Sequence, residues 1–578
     1  MKKMKKAGVL VSAIATTAVC ASMIAGSTFA LFTSEDQVDI TVSSGNVSIT
    51  ADVNGSIKTP VSIKKTNDGY EIGEYETSTS AGFNATSDGL INVTNVIPGD
   101  KVELTVGVEN TGSVKAKYNF TLECVEGVSL MNKLVVDVEE DTVNATDGVK
   151  KYTSDWAEID AGAKATYNLT LELPASLDNA YKNLSTKIKT TVFAVQYNAD
   201  MANPVSNVEN FPVVSGVADL TKGGLLVLNS DLALTDTVTF DKDTEIDLGG
   251  NTLSADKLLE IGNGADVVIA NGKFVSQCEN NASNCALNIY GDKSEVQTKL
   301  TLDNVDVESY AYGIGIRNYA WLQPKSTEPL VTINGGSIST EHPYACAIGT
   351  SAALGNNNGL APDIKNALEE LKQKGEDWST KNVFEGGKVV MNGTTINSNG
   401  SGIMLTVPVD MELNNCTINS RMQCLVIRAG NVTLNGCTLN NNIYNENEFE
   451  ESCKSLSYYN GYMGSKYLSK GTQETWQAAN NTDLAAIVLG NNVGSTTSSY
   501  AFNCKVTVIN TVINQKNGIS EGQAALVYIH GDPRVDENKM PKYTATFAYS
   551  YSEGFKGVKL DPESESDIVK AGNLDSIK

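Results

Sequence analysis

Histidine, arginine and proline are all scarce in this sequence, and so is positive charge. Only 2 His and 13 Pro occur in 578 residues, and Arg317, Arg421, Arg428 and Arg534 are the only arginines. Two histidines that form no spaced pair exclude an HExxH metalloprotease and any multi-His metal centre. Lys and Arg total 44 against 68 acids, a formal charge of −24 with a pI of about 4.6, and no basic cluster follows Lys6. A nucleic-acid binder needs a basic footprint to neutralise phosphates, so that class is excluded, and a polyphosphate substrate is disfavoured for the same reason. No later apolar run is long enough to cross a bilayer. The length and a hydrophobic content of 41% predict more than one domain, each with its own core.

The first thirty residues read as a targeting segment. Lys2, Lys3, Lys5 and Lys6 precede an apolar run from Ala7 to Gly26, and Thr28-Phe29-Ala30 supplies small residues at the spacing of a cleavage site after Ala30. A permanent membrane anchor and a lipid anchor on Cys20 are the competing readings. Several Thr and Ser interrupt the run, and Val19 stands where a small residue would precede a lipidated Cys. Cleavage leaves 40 basic against 68 acidic residues, a net charge of −28. The expected product is a secreted, soluble, strongly acidic protein of the cell surface or extracellular matrix, with no membrane association after cleavage. Its nine remaining cysteines are odd in number, so one is unpaired or pairs between chains. Cys278 and Cys285 enclose a short polar loop, and either a disulfide or two separate buried thiols suits them.

From residue 31 to about 200 the pattern has period two. Val102, Leu104, Val106 and Val108 alternate with polar residues, and the alternation resumes after Asn110-Thr111-Gly112 through Val114, Ala116, Tyr118, Phe120, Leu122 and Cys124. This predicts a β-hairpin. Tyr167 to Leu173 and Ile188 to Tyr197 form further stripes, and Pro98-Gly99-Asp100 marks a turn. An antiparallel β-sandwich or jelly roll follows.

Several of these segments resemble a family. The run Thr28-Phe29-Ala30-Leu31-Phe32-Thr33 resembles sites cut by SipW-type signal peptidases of Gram-positive bacteria. Ile91 to Lys101, followed by Glu109-Asn110-Thr111-Gly112-Ser113, is similar to the hallmark segment of TasA/camelysin biofilm-matrix proteins, and Thr191 to Asn198 resembles that family's last core strand. The resemblance covers about a third of the chain. It implies a jelly-roll fold and assembly into extracellular fibres by donation of an N-terminal strand between subunits, the donor here being roughly Leu31 to Val42. Camelysins are also classed as metalloproteases, but residues 31 to 200 contain no histidine, so the chain departs from that part of the pattern.

From about residue 217 to 555 the sequence repeats. A template of apolar residues at i, i+2 and i+7 fits Ile246/Leu248/Leu253, Val267/Ile269/Phe274, Leu300/Leu302/Val307, Val331/Ile333/Ile338, Val389/Met391/Ile396, Met411/Leu413/Ile418, Val432/Leu434/Leu439 and Val506/Val508/Ile513. The starts differ by 21, 33, 31, 58, 22, 21 and 74 residues, so the short spacings define one turn and the long ones carry insertions. A second strand signal, such as Leu259-Glu260-Ile261 or Leu425-Val426-Ile427, precedes most copies. This predicts a right-handed parallel β-helix of the pectate-lyase-like kind. No regular helical segment lies between the strands, which sets it apart from leucine-rich repeats. Asn392, Asn414 and Asn435 are read as corner residues that take the left-handed conformation and stack their amides. Cys416 and Cys437 share one template position and read as a buried thiol ladder.

The expected chain is therefore all-β: a signal peptide (1–30), a jelly roll or sandwich (31–200), a linker (201–216) with Pro204 and Pro212, a β-helix with loop insertions (217–555), and an acidic tail or cap (556–578). Function is expected in the insertions. The one from Ser351 to Gly387 suits an amphipathic helix that shields the solenoid. The one from Asn441 to Asp483 carries Tyr444, Tyr458, Tyr459, Tyr462, Tyr467 and Trp476, which with Trp321 are candidates for glycan binding because rings pack on sugar CH faces. A local mini-core explains the same rings. His530, Asp532 and Arg534 are the only grouping that suits a polysaccharide lyase or hydrolase, and a lyase would also need calcium. The leading expectation is a non-enzymatic surface or biofilm-matrix adhesin without a cofactor. Its partners would be like subunits or other matrix proteins joined by strand exchange, with polysaccharide as a further ligand. The alternative is a secreted carbohydrate-active enzyme using the β-helix groove.

Overall fold

The computed structural model describes residues 33–37, 40–41 and 47–571, apart from 68, 87–88, 139–147, 178–180, 198–206, 258, 277–284, 292–295, 319–327, 343–344, most of 352–386, 406–408, 444–484, 490–503, 516–525, 530–542, 554–557 and 561–565. The signal-peptide reading and the helix expected after Ser351 lie outside the described residues. The fold is all-β. Contacts divide the chain into two units, the first running to Asn210 and the second comprising Glu126–Asn132, Asp178–Tyr181 and Phe211–Lys578.

The described strands of the first unit form a two-stranded ribbon of Ile63–Thr66 and Gly69–Ile72 and two large sheets. In one, the order is Val135–Val138, Lys164–Glu172, Lys101–Asn110, Ile49–Pro60 and Tyr75–Thr77, each strand antiparallel to its neighbour. The other runs Asn207–Asn210, Val149–Thr153, Ala116–Glu126, Leu184–Gln196, Thr33–Gln37 and Ile40–Thr41, with Leu90–Val96 also on Leu184–Gln196. Alternation in Lys101–Asn110 buries Val102, Leu104, Val106 and Val108. Their counterparts in the facing sheet include Tyr118 and Phe120, whose rings meet Tyr167 at 6.0 and 5.0 Å.

The expected hairpin is corrected here. Lys101–Asn110 and Ala116–Glu126 are both strands, but they belong to different sheets. Period two fixes which side chains face inward and is silent on which strand is the neighbour. Asn110 makes the crossing: its buried amide donates to the carbonyls of Val114 and Ile159 at 2.9 and 3.2 Å and accepts from the Gly112 N–H at 3.0 Å. Asp100 closes the Pro98-Gly99-Asp100 turn in a similar way, its carboxylate accepting from the Ile97 N–H.

In the second unit every strand pairs in parallel with the equivalent strand of the next repeat, giving three rows. Row A includes Thr244–Asp247, Val331–Asn334, Lys388–Asn392, Asp410–Asn414, Gly430–Asn435, Cys504–Ile509 and Tyr543–Ala548. Row B includes Ser337–Thr340, Thr395–Ser398, Thr417–Ser420, Thr438–Asn441, Val512–Gln515 and Tyr551–Glu553. Row C, in a separate sheet, contains Leu259–Ile261, Cys285–Gly291, Tyr312–Asn318, Ser401–Leu405, Leu425–Ile427 and Ile487–Leu489. The template residues are the interior, as in Ile246, Ile269, Leu302, Ile333, Met391, Leu413 and Leu434, each at most 1% exposed.

Rows A and B are joined by a tight corner at successive repeats. The residue at i+4 has positive φ in nine of them: Gly250, Asn271, Asn304, Gly335, Gly393, Asn415, Gly436, Asn510 and Tyr549. Glycine and asparagine suit this conformation best. The asparagines named from sequence stand one residue earlier. Asn392 donates to Asn334 and Asn414 to Asn392, at 2.9 and 3.0 Å, so these two stack their amides without themselves being left-handed. Cys416 and Cys437 are buried free thiols on neighbouring strand ends, and each donates to main-chain carbonyls such as Met391 O and Leu413 O.

One half-buried acid, Glu245, gives the second unit a pH dependence. The Glu245 carboxylate accepts N–H bonds from Gly127 and Val128 at 3.0 and 2.5 Å, while Asp247 accepts from the Asn132 amide at 3.0 Å. Burial outweighs those bonds and raises the Glu245 pKa to about 7. A carboxyl raised in the folded state contributes stability that is complete below its unfolded value of 4.5 and is lost as pH rises through 7. The loss is on the order of 2–3 kcal/mol. Unfolding midpoints measured from pH 4.5 to 8 are expected to fall less steeply in Glu245→Gln, and parallel curves would contradict the assignment.

Candidate assembly site

The strand Leu184–Gln196 is rich in β-branched residues and buries Thr186, Ile188, Thr190, Val192 and Ala194 on one face. It is 13 residues long, and two shorter strands share one of its edges. Leu90–Val96 pairs antiparallel with the stretch from Leu184 to Lys189. Thr33–Gln37 pairs antiparallel with the next stretch, in the register Thr33 with Val195, Glu35 with Phe193 and Gln37 with Thr191. The boundary falls at Thr190, whose N–H reaches the Gly89 carbonyl at 2.9 Å. The N-terminal strand thus fills a five-residue opening that Leu90–Val96 leaves on the same edge. Ile40–Thr41 then folds back onto Asp36 and Gln37.

The surroundings of this opening are aromatic and charged. Trp156 stands edge-on to Phe193, with ring centroids 5.8 Å apart, and its buried indole N–H has no partner among the described residues. At the end of the strand, Lys115 lies over the Tyr197 ring at 4.6 Å and pairs with Glu158 at 2.8 Å, which holds the Glu158 carboxyl below its usual value. These exposed pairs add little stability. What the arrangement offers is main-chain hydrogen bonding to an added strand, with side-chain register as the source of specificity.

Of the donor segment Leu31 to Val42, the strands Thr33–Gln37 and Ile40–Thr41 are described. Ala30, Tyr444, Tyr458, Tyr459, Tyr462, Tyr467, Trp476, Trp321, His530, Asp532, Arg534 and Cys278 lie outside the described residues, and Cys285 opens the strand Cys285–Gly291. Among the described residues no group of three or more His, Cys, Asp or Glu is arranged to hold a metal ion, and no helix is long and apolar enough to cross a membrane. The division of the Leu184–Gln196 edge at Thr190 is absent from the sequence reading. Its signal was available in the strand's length, which exceeds that of Leu90–Val96 by six residues.

No family model matches this chain, and no curated protein does. A solved structure described as the crystal structure of the Agl-KA catalytic domain aligns over 83% of this chain and 91% of its own, at 9% identity and a TM-score of 0.20. A likeness that weak carries no argument about fold or activity.

Proposed function

We propose that this chain is a secreted structural and adhesive protein of the cell surface or biofilm matrix, assembled by exchange of its N-terminal strand between like subunits. In this reading the first unit is a jelly roll of the TasA/camelysin type. The second is a right-handed parallel β-helix displayed from the assembly. The observation that carries the proposal is the placement of Thr33–Gln37 on the edge of Leu184–Gln196, an edge that a neighbour's copy of the same strand would fill with the same register. The parallel in-register rows, insertion-bearing on two corners, support the solenoid reading. Polysaccharide remains the proposed ligand of the aromatic insertion. The enzymatic alternative rests on His530, Asp532 and Arg534, and no described residue adds to it.

Sedimentation and electron microscopy of the purified mature chain test the proposal. Concentration-dependent, regular polymers are expected, and a monomer at every concentration would contradict it.

A further inference from the structure

The outward side of row B has a composition unlike the rest of this acidic chain. Register places Ser337, Thr395, Thr417, Thr438 and Val512 in one column and Ser339, Asn397, Asn419, Asn440 and Asn514 in the column beside it. None of these ten residues is charged, in a protein of net charge −24. Charge returns on the preceding repeat, where Asp306 accepts from Ser337 at 2.6 Å and Glu308 pairs with Lys273 at 2.8 Å.

The strip is ordered along its length. Asn419 donates to Asn397 at 2.9 Å, Asn440 to Asn419 at 2.8 Å and Asn514 to Asn440 at 3.2 Å. The exposed Asn397 and the half-buried Asn419 and Asn514 each have hydrogen-bonding capacity beyond their ladder bonds for an outside partner. Asn397 is exposed, Thr395, Thr417 and Asn419 are half-buried, and Asn440 is buried within the ladder. At the far end the first column gives way to exposed apolar groups, while in the second Glu553 follows Asn514 and charge returns. Val512 is 38% exposed and opposes Tyr551, at 47%, while Tyr549 is 74% exposed and sits at the positive-φ corner where the other repeats have Gly or Asn. A tyrosine there is strained, so its ring is held outward at a cost to the backbone.

We propose that this strip binds a neutral, extended polysaccharide, its hydroxyls on the Thr and Asn columns and a sugar CH face on Tyr551. Six strands from Ser337 to Tyr551 span about 24 Å. A strip that long and only two columns wide falls well short of the roughly 800 Å² per partner that a stable protein dimer buries. The ten uncharged residues, bounded by Asp306 and Glu308 at one end and Glu553 at the other, offer no cation to a uronic polymer. Tight corners keep insertions off the border between rows A and B, and the insertions after Asn441 and Gln515 leave from the other border of row B. The site uses residues other than those of the aromatic insertion and rests on the reading of the second unit as an adhesive module, while being separable from strand exchange.

Affinity electrophoresis of the full mature chain tests this, in gels containing hydroxyethylcellulose, a β-1,3-glucan or a mannan, with polygalacturonate as the charged comparison. Retardation is expected in at least one neutral gel and none in polygalacturonate. Thr417→Glu and Tyr551→Ala are each expected to weaken it at least tenfold while keeping the unfolding midpoint. Unchanged mobility in every neutral gel overturns the proposal. So does retention that survives both substitutions, or retention by polygalacturonate alone. A change in sedimentation of Thr417→Glu without a change in glycan retention assigns the strip to a second copy of the chain and overturns it as well. Protein lacking Leu31 to Val42 should still be retained, so loss of polymers with glycan retention intact counts against strand exchange only.

Discussion

Mature protein lacking Leu31 to Val42 is expected to form no regular polymers under conditions in which the full mature chain does. The deleted stretch contains Thr33–Gln37, the strand that covers Thr191 to Val195. Without it those five residues, of which Val192, Ala194 and Val195 are buried, become an open sheet edge. A subunit with an opening and no strand to donate cannot propagate a chain. The truncated protein is also expected to accept a synthetic peptide of Leu31 to Val42, since the receiving edge is retained, and to bind it stoichiometrically. Sedimentation velocity reads both effects. Fibres of normal appearance from the truncated chain would sink the strand-exchange reading.

The second large effect is expected at a corner glycine. Gly336 has φ of +60°, and a Cβ there would lie 2.2 Å from the Val305 carbonyl oxygen and 2.7 Å from Val305 C and N, all backbone. No side-chain rotamer relieves that overlap, so two neighbouring repeats would have to move apart. Gly336→Ala is expected to cost on the order of 3 kcal/mol or more. Gly393 has a similar φ of +63° but nothing within 4 Å of its hypothetical Cβ. Gly393→Ala is expected to cost only about 1 kcal/mol, the strain of the left-handed conformation alone. Unfolding midpoints in urea separate the two, and equal losses would mean that conformation, not the approach of neighbouring repeats, decides the corner.

The repeating unit was legible because its interior is a column. A residue such as Ile418 has Ile396 before it and Leu439 after it in register, so the i, i+2, i+7 spacing survives insertions of any length elsewhere. The same holds for the third strand, where Leu259, Leu287 and Ile314 recur. Long-range antiparallel pairing left no such trace. Nothing in Val102 to Cys124 says that Asn110 turns the chain into the other sheet, because both strands alternate correctly whichever neighbour they take. The asparagines belong to the corner expected of them, but the left-handed role falls one residue later than expected: Asn414 stacks, and Asn415 takes the left-handed turn. The uncharged strip of row B was hidden for a different reason. Thr395, Thr417 and Thr438 lie 22 and 21 residues apart, and only the register of the sheet makes them neighbours.

The most direct measurement is a cross-link between two chains. One protein carries Glu35→Cys and the other Phe193→Cys, positions that oppose each other in the strand register. Mixed under mild oxidation and run without reductant, they are predicted to give a covalent dimer containing one of each, in polymers and in proportion to polymer formed. A disulfide that forms only when both cysteines are in the same chain, with no mixed dimer at any concentration, would contradict strand exchange as the basis of assembly.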